Sequence, residues 1–325
     1  MRRVVAYGPA CVGNVAAGFD VLGAAMAPLD GGLWGDRVEV REAAAFSLTC
    51  SGPFAHLLPC NPEDNLAWKA CEAFARRLGR ALPPLALRLE KGLPVASGLG
   101  SSSATVVATL RALDAFLGHP LAPPEEDAVL LAAAGEAEAH AAGSAHLDNV
   151  APALLGGLRL VSADGRAHAL PFPPELRFVL ISPELTLSTR AARAALPRQV
   201  PLQLAVAHAQ NLASLVHALH TADLGLLQAC LRDLLAEPHR AGLVPGFRAV
   251  QAAAMERGAL GCSLSGSGPA AFAVAEHGLA DEIGAAMGRA WAAAGIAARI
   301  VHCNLDHQGA RVLEAEGGAA TDEVP

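Results

Sequence analysis

Two glycines two residues apart run into three consecutive serines at Gly98-Leu99-Gly100-Ser101-Ser102-Ser103. A strand-like run, 85–91, precedes this stretch, and an apolar, helix-prone run, 104–117, follows it. The order predicts a strand, a tight turn and a helix. Glycine admits positive φ and lets a ligand approach the backbone closely. The serines fall at the start of the helix, where free N–H groups and the positive end of the dipole favour an anion. Their hydroxyls can cap the helix or reach a metal. The loop is not a Walker P-loop: no Gly-Lys-Ser/Thr follows, and the two lysines, Lys69 and Lys91, both precede it. It is not a dinucleotide fingerprint either, because the third glycine is missing. An ordinary serine-capped turn fits the spacing equally well.

The length, 325 residues, predicts two domains. Hydrophobic content of 53 % against 17 % charged residues describes a well-cored globule. No uninterrupted apolar run of ~18 residues occurs, so no membrane span is expected. Met1-Arg2-Arg3-Val4-Val5 enters a strand-like run without an apolar leader, which predicts a cytoplasmic protein. A net charge of −7 supplies no basic stripe for nucleic acid. The cysteines at 11, 50, 60, 71, 230, 262 and 303 are odd in number and lack Cys-x-x-Cys spacing, so free thiols are expected rather than zinc or disulfides.

Short strands are predicted at 37–40, 46–50, 85–91 and 155–161, the last after a break at Pro152. Asp64-Asn65 caps a helix over 66–78 that stops at Gly79, and a second helix is read over 125–142. The proline-rich turn segment 162–174 is the natural boundary between halves. Beyond it, a strand at 176–182, helices at 202–219, 224–236 and 246–258, strands at 260–265 and 270–275, a helix at 279–294 and a strand at 297–303 predict an α+β sandwich, with helices on one face of an antiparallel sheet. The acidic tail is expected to fray.

Polar residues recur where a core would not want them. Asn14 and Asp20 flank a loop of small residues and could bind an ammonium and a hydroxyl, or simply make Asx turns. His146, Asp148 and Asn149 lie within four residues beside apolar sequence, and Glu136 and Glu138 stand in an alanine-rich helix. Ser188, Thr189, Arg190 and Arg193 start a helical turn, and Arg240 follows Glu237-Pro238-His239. Arginine grips carboxylate or phosphate bidentately. A second glycine-rich loop, Ser265-Gly266-Ser267-Gly268-Pro269, could be a simple hairpin or could close over phosphates.

Taken together, these motifs resemble the GHMP kinases, and within that superfamily the homoserine kinases. The resemblance covers residues 9 to about 270 in the family's order; the glycine-serine loop alone marks the superfamily, and the His-x-Asp-Asn-Val-Ala-Pro and Ser-Thr-x-x-Ala-Arg patterns narrow it. It implies a two-domain architecture: an N-terminal mixed α/β domain over 1–165 with a left-handed-crossover-type phosphate-loop region, a C-terminal ferredoxin-like α/β sandwich over 166–312, and a disordered tail from 313. It implies transfer of the γ-phosphoryl group of ATP to the side-chain hydroxyl of L-homoserine, on the route to threonine, by a homodimer. Pro94, Val95, Ala96, Ser97, Gly98, Leu99, Gly100, Ser101, Ser102, Ser103 and Ala104 would wrap the phosphates, with Asn65 and Lys91 also at the nucleotide. Ser102 and Glu138 would hold Mg²⁺. Asn14, Asp20, His146, Asp148, Asn149, Arg193 and Arg240 would bind substrate. Asp148, Asn149, Thr189 and Arg193 are the residues assigned to catalysis: Asp148 as the base if one is used, Thr189 to orient the hydroxyl. Phosphoryl transfer asks for positioning and charge neutralisation more than for a covalent partner.

The first motif departs from the family pattern, with Val12-Gly13 in place of a Ser-Ala type pair and Ala16-Ala17 where a glycine is common. This implies a differently shaped substrate loop. Two other readings are a GHMP kinase for an isoprenoid or sugar, and a non-catalytic member of the fold. The His146–Asn149 run argues against the first, and the intact loop glycines, Ser102 and Glu138 against the second.

Overall fold

Residues 4–18 are buried throughout, so the first strands run through the interior. In the computed structural model, which describes residues 2–121, 125–143 and 145–317, the first half runs β1 (Arg3–Pro9), β2 (Cys11–Gly13), β3 (Leu22–Pro28), β4 (Gly35–Glu42), β5 (Ser47–Ser51), α1 (Leu66–Leu78), β6 (Leu85–Glu90), α2 (Ser101–Phe116), α3 (Glu125–Ala142), α4 (Leu147–Leu155), β7 (Leu158–Val161) and β8 (Ala167–Leu170). The second half runs β9 (Leu176–Pro183), α5 (Thr189–Ala194), α6 (Leu202–Thr221), α7 (Leu224–Cys230), α8 (Glu237–Arg240), α9 (Phe247–Glu256), β10 (Gly261–Leu264), β11 (Ala271–Glu276), α10 (Ala280–Ala293), β12 (Ala298–Leu305) and β13 (Arg311–Glu316).

One sheet has the order β13-β1-β4-β6-β5 and the other β10-β11-β9-β12-β3-β7-β8, with β2 paired to β3. In the first, Val38 and Val40 of β4 and Leu85, Leu87 and Leu89 of β6 point one way, onto Phe74 of α1, Val107 and Leu110 of α2 and Leu131 of α3. In the second, β9 is apolar on both faces. Phe178 and Leu180 meet Leu215, Leu219 and Leu227 of α6 and α7. Val179 and Ile181 meet Phe247 and Trp291 of α9 and α10. Helices therefore cover this sheet on both sides rather than one, as a strand buried on both faces requires. No helix among the described residues is long and apolar enough to cross a membrane.

Three expectations change. The segment 162–174 carries the β7–β8 hairpin and is not a clean boundary, because β3 pairs with both β7 and β12, joining the halves in one sheet. Residues 313–316, expected to fray, belong to β13, which pairs with β1 from Arg3↔Glu316 to Tyr7↔Arg311. Arg3 reinforces the pairing, its guanidinium reaching Glu314 at 2.6 Å and Glu316 at 3.3 Å. The remainder of the expected tail, 318–325, lies outside the described residues. Pro152, read as a break, sits inside α4. The Asp148 carbonyl, which a residue with an N–H at 152 would have bonded, instead lies against Gly23, where an added Cβ would come within 1.6 Å of it.

Candidate active site

The glycine-serine loop leaves β6 and enters α2. At its base, Lys91 turns inward and is 1 % exposed. Its Nζ donates to Asp36 Oδ2 at 2.5 Å, the Ser101 carbonyl at 2.7 Å and Thr105 Oγ1 at 3.0 Å. Asp36 also accepts the Gly92 and Leu93 N–H groups at 2.9 and 3.2 Å. All three ammonium donors are engaged. Lys91 thus fixes where the loop ends and α2 begins, while still lining the cleft. Burial lowers its pKa, and Asp36 opposes that.

The loop adopts left-handed backbone at Ala96, Gly98 and Gly100, with φ of 55°, 81° and 64°. Gly100 is required twice over, since a Cβ there would stand 2.0 Å from Cys11 Sγ. Backbone clamps hold the loop: the Cys11 N–H donates to the Leu99 carbonyl at 3.1 Å, and the Ala270 N–H to the Ser97 carbonyl at 3.0 Å. Ser265 Oγ donates to the Gly98 carbonyl at 2.5 Å. The second glycine-rich loop is therefore no isolated hairpin; it docks on the first.

The serines do not cap α2; its N-cap is Gly100, without a side-chain bond, so the first N–H groups stay open to a ligand. Ser102 and Ser103 instead donate to Glu138 Oε1 at 2.7 and 2.5 Å. Glu138 is 3 % exposed, and its Oε2 has no partner of hydrogen-bond geometry among the described residues. Burial raises its pKa to about 6, opposed by the two hydroxyls and the His146 backbone N–H. A buried, half-satisfied carboxylate at an anion-binding helix start is a fitting seat for a divalent cation.

A cleft of about 690 Å³ runs along this loop. Val95, Ala96, Ser97, Gly98, Gly100, Ser101 and Ser102 line it, whereas Pro94, Leu99, Ser103 and Ala104 do not. Leu99, Ser103 and Ala104 are packed inside instead, each at most 1 % exposed. At one end the wall is Leu57, Leu58, Pro59 and Leu66 with Asn65. Asn65 Oδ1 accepts the Ala67 N–H at 2.9 Å, so it caps α1 as expected while facing the cleft.

At the other end lie Asn14, Asp20, His146, Asn149, Thr189 and Arg240. Asn14 is the hub. Its N–H donates to Asp148 Oδ2 at 3.0 Å, its Nδ2 to the Gly266 carbonyl at 2.9 Å, and its Oδ1 accepts the Asp20 N–H at 2.8 Å. Arg193 Nη1 donates to Asp20 Oδ2 at 2.6 Å, and His146 Nδ1 stands 3.9 Å from Asp20 Oδ1. Arg240, 4 % exposed, donates to the Ala192 and Gly266 carbonyls at 3.3 and 3.1 Å. Both guanidiniums lie over the Phe19 ring, 5.5 Å away for Arg193 and 5.2 Å for Arg240. Thr189 Oγ1 is 3.3 Å from Ser267 Oγ. Two of the assigned substrate residues, Asp148 and Arg193, are not among the lining residues but touch ones that are, Asp148 through Asn14 and Arg193 through Asp20. Asp148 is 1 % exposed, its Oδ1 lacks a partner of hydrogen-bond geometry, and burial with the nearby Asp20 and Glu138 charges raises its pKa to about 7. Burial pushes the His146 pKa down, and Arg193 adds to this.

The sequence matches the family described as GHMP kinases N terminal domain over residues 65–157 and GHMP kinases C terminal over residues 215–293. A crystal structure of homoserine kinase from Cytophaga hutchinsonii shares 37 % identity, covers 96 % of this chain and 97 % of its own, and superposes with a TM-score of 0.88. This chain belongs to the GHMP kinase family. A putative homoserine kinase from Listeria monocytogenes shares 25 % identity over 97 % of this chain and 100 % of its own, with a TM-score of 0.68. Galactokinase from Lactococcus lactis, complexed with galactose, shows the same fold at 14 % identity, covering 95 % of each chain with a TM-score of 0.71. In this GHMP kinase the Gly98–Ser103 segment and the start of α2 lie within the N-terminal-domain match and line much of the cleft.

Three features of the site escaped sequence reading. Leu57, Leu58 and Pro59 carry no motif, yet they line the cleft. Asp36 lies just before the strand expected at 37–40, yet it is fully buried and paired with Lys91. Gly13 has a specific use: a Cβ there would meet the Asn149 amide at 2.5 Å, so the atypical residue makes room for that side chain.

Proposed function

We propose that this GHMP kinase transfers the γ-phosphoryl group of ATP to the side-chain hydroxyl of L-homoserine, giving O-phospho-L-homoserine on the route to threonine. The observation that carries the reading is the charge pattern at the acceptor end. Arg193 and Arg240 stand beside Asp20 and Asp148, whose carboxylates lie with His146 within 4.8 Å of one another. A small zwitterion needs both signs. Mevalonate has a carboxylate but no ammonium, and galactose has neither. The likeness to homoserine kinases supports the same choice.

In this mechanism Arg193 and Arg240 hold the substrate carboxylate, while Asp20 receives the ammonium and the buried Asp148 charge, behind Asn14, reinforces it. Asp148 then supports binding rather than acting as a base, and the hydroxyl proton passes to a γ-phosphate oxygen. Thr189 and Asn149, on the cleft wall, orient the hydroxyl. The hydroxyl oxygen bonds to phosphorus as the bond to the β,γ-bridging oxygen breaks, and that electron pair leaves with ADP. The α2 N–H groups and loop amides cradle the phosphates. Ser102 and Glu138 would hold Mg²⁺, which when bound neutralises phosphate charge. Seven free cysteines, two of them exposed, fit a reducing cytoplasm; a homodimer is proposed on family resemblance alone.

The test is ADP release from Mg-ATP with L-homoserine, mevalonate or galactose as acceptor. Homoserine-dependent release is expected. Turnover with mevalonate or galactose instead would reassign the substrate, and a folded, ATP-binding protein inert to all three would be a non-catalytic member of the fold.

A further inference from the structure

The cleft's cations are unequally occupied. Of the lysine and arginine side chains that line it, Lys91 is held by Asp36 and Arg240 by two backbone carbonyls. Arg193, beside them, is paired with Asp20. Arg190, on the first turn of α5, lines the cleft beside Thr189, Ser267 and Gly98 and is exposed. Alone among these cations, within the described residues, it has no hydrogen bond, ion pair or ring contact. The demand for positive charge is uneven too. The single carboxylate of an amino-acid substrate is already served by two guanidiniums. The triphosphate carries several negative charges, yet its loop contains no lysine or arginine, and the nearest lysine is engaged from below.

We propose that Arg190 is a catalytic residue of this kinase: its guanidinium swings from the cleft mouth onto the transferring γ-phosphate and neutralises charge that develops there. The position supports this. Thr189, its chain neighbour, meets Ser267, and the loop carrying Ser267 is anchored through Ser265 to the Gly98 carbonyl of the phosphate loop. The first turn of α5 is thereby held where the nucleotide end and the acceptor end meet. A fork of donors on an unencumbered side chain suits equatorial phosphate oxygens, as an arginine acting on a phosphoryl group does in other phosphotransferases.

The inference rests on the kinase reading above, and its test keeps the two separable. Wild type, Arg190→Ala and Arg190→Lys are compared for homoserine-dependent ADP release, and for ATP and ADP binding by calorimetry in Mg²⁺. Because Arg190 is exposed and unpartnered, both variants should melt with wild type. Arg190→Ala should lower kcat about 100-fold, leave the homoserine KM within about twofold, and weaken ATP binding while leaving ADP binding unchanged. Arg190→Lys should recover part of the loss, and added guanidinium ion should partly rescue the alanine variant. An unchanged kcat, an equal loss of ATP and ADP affinity, or an effect confined to the homoserine KM would overturn the assignment. If wild type releases no ADP with homoserine, the substrate reading fails, but the difference between ATP and ADP binding in the two proteins still decides the role of Arg190.

Discussion

Glu138→Gln should stabilise the free protein and disable the enzyme. Glutamine is nearly isosteric with the protonated carboxyl, so it reports what ionisation at this position costs. A rise from 4.5 to about 6, caused first by burial, corresponds to about 2 kcal/mol against the charged form. The sign follows from the raised folded-state value. The unfolded chain holds the proton less tightly, so the penalty is absent below pH 4.5, grows as pH rises towards 6, and is complete above it. Unfolding entropy for 325 residues is about 0.7 kcal/mol/K, so the gap amounts to roughly 3 °C in Tm. Thermal melts of wild type and variant without nucleotide should differ by that amount at pH 8 and by less than half of it at pH 5. Mg-ATP should raise the Tm of wild type more than that of the variant, and turnover should fall 100-fold or more, about 3 kcal/mol. A variant no more stable than wild type at pH 8, or a gap of equal size at pH 5, would refute the reasoning.

Gly100→Ala should cost at least about 2 kcal/mol, because positive φ and the Cys11 contact both oppose a Cβ; adding Cys11→Ala should recover most of the contact's share in urea denaturation. Lys91→Met should cost about 3–5 kcal/mol by stranding the buried Asp36 carboxylate, and the further change Asp36→Asn should regain part of it. Asp148, with its pKa at about 7, loses its charge as pH falls through neutrality, so the homoserine KM should rise between pH 8 and 6 while the ATP KM stays flat, and Asp148→Asn should flatten that profile.

Local chemistry was legible in the sequence wherever it set local structure. The capping Asn65 and the left-handed Gly79 bound α1 at the residues read from the pattern. The glycines and serines of 98–103 marked a tight turn into a helix, and the left-handed Gly98 and Gly100 lead into α2 there. Partnership across the chain was not legible. Lys91 carries the right charge for a phosphate, but its partner lies 55 residues earlier, on a strand whose alternation disguises Asp36. Asp20 and Arg193 meet across 173 residues, so both could be named as substrate groups but not as a pair. The β2–β3 pairing was hidden by its small residues, and β13 by its charges, which read as a solvated tail until Arg3 supplied their counter-ion.

The pairing of β1 with β13 and of β3 with β12 bears on how the protein is made. On a ribosome, Arg3–Pro9 emerges more than three hundred residues before the strand that covers its outer edge, and Leu22–Pro28 waits almost as long for Ala298–Leu305. Neither sheet is complete until the last tenth of the chain has been synthesised. Such long-range closure is slow and leaves hydrogen-bonding edges open meanwhile. The nascent kinase is thus a candidate for chaperone protection throughout its translation, and a fragment cut at residue 165 would retain unpaired edges at β1 and β3.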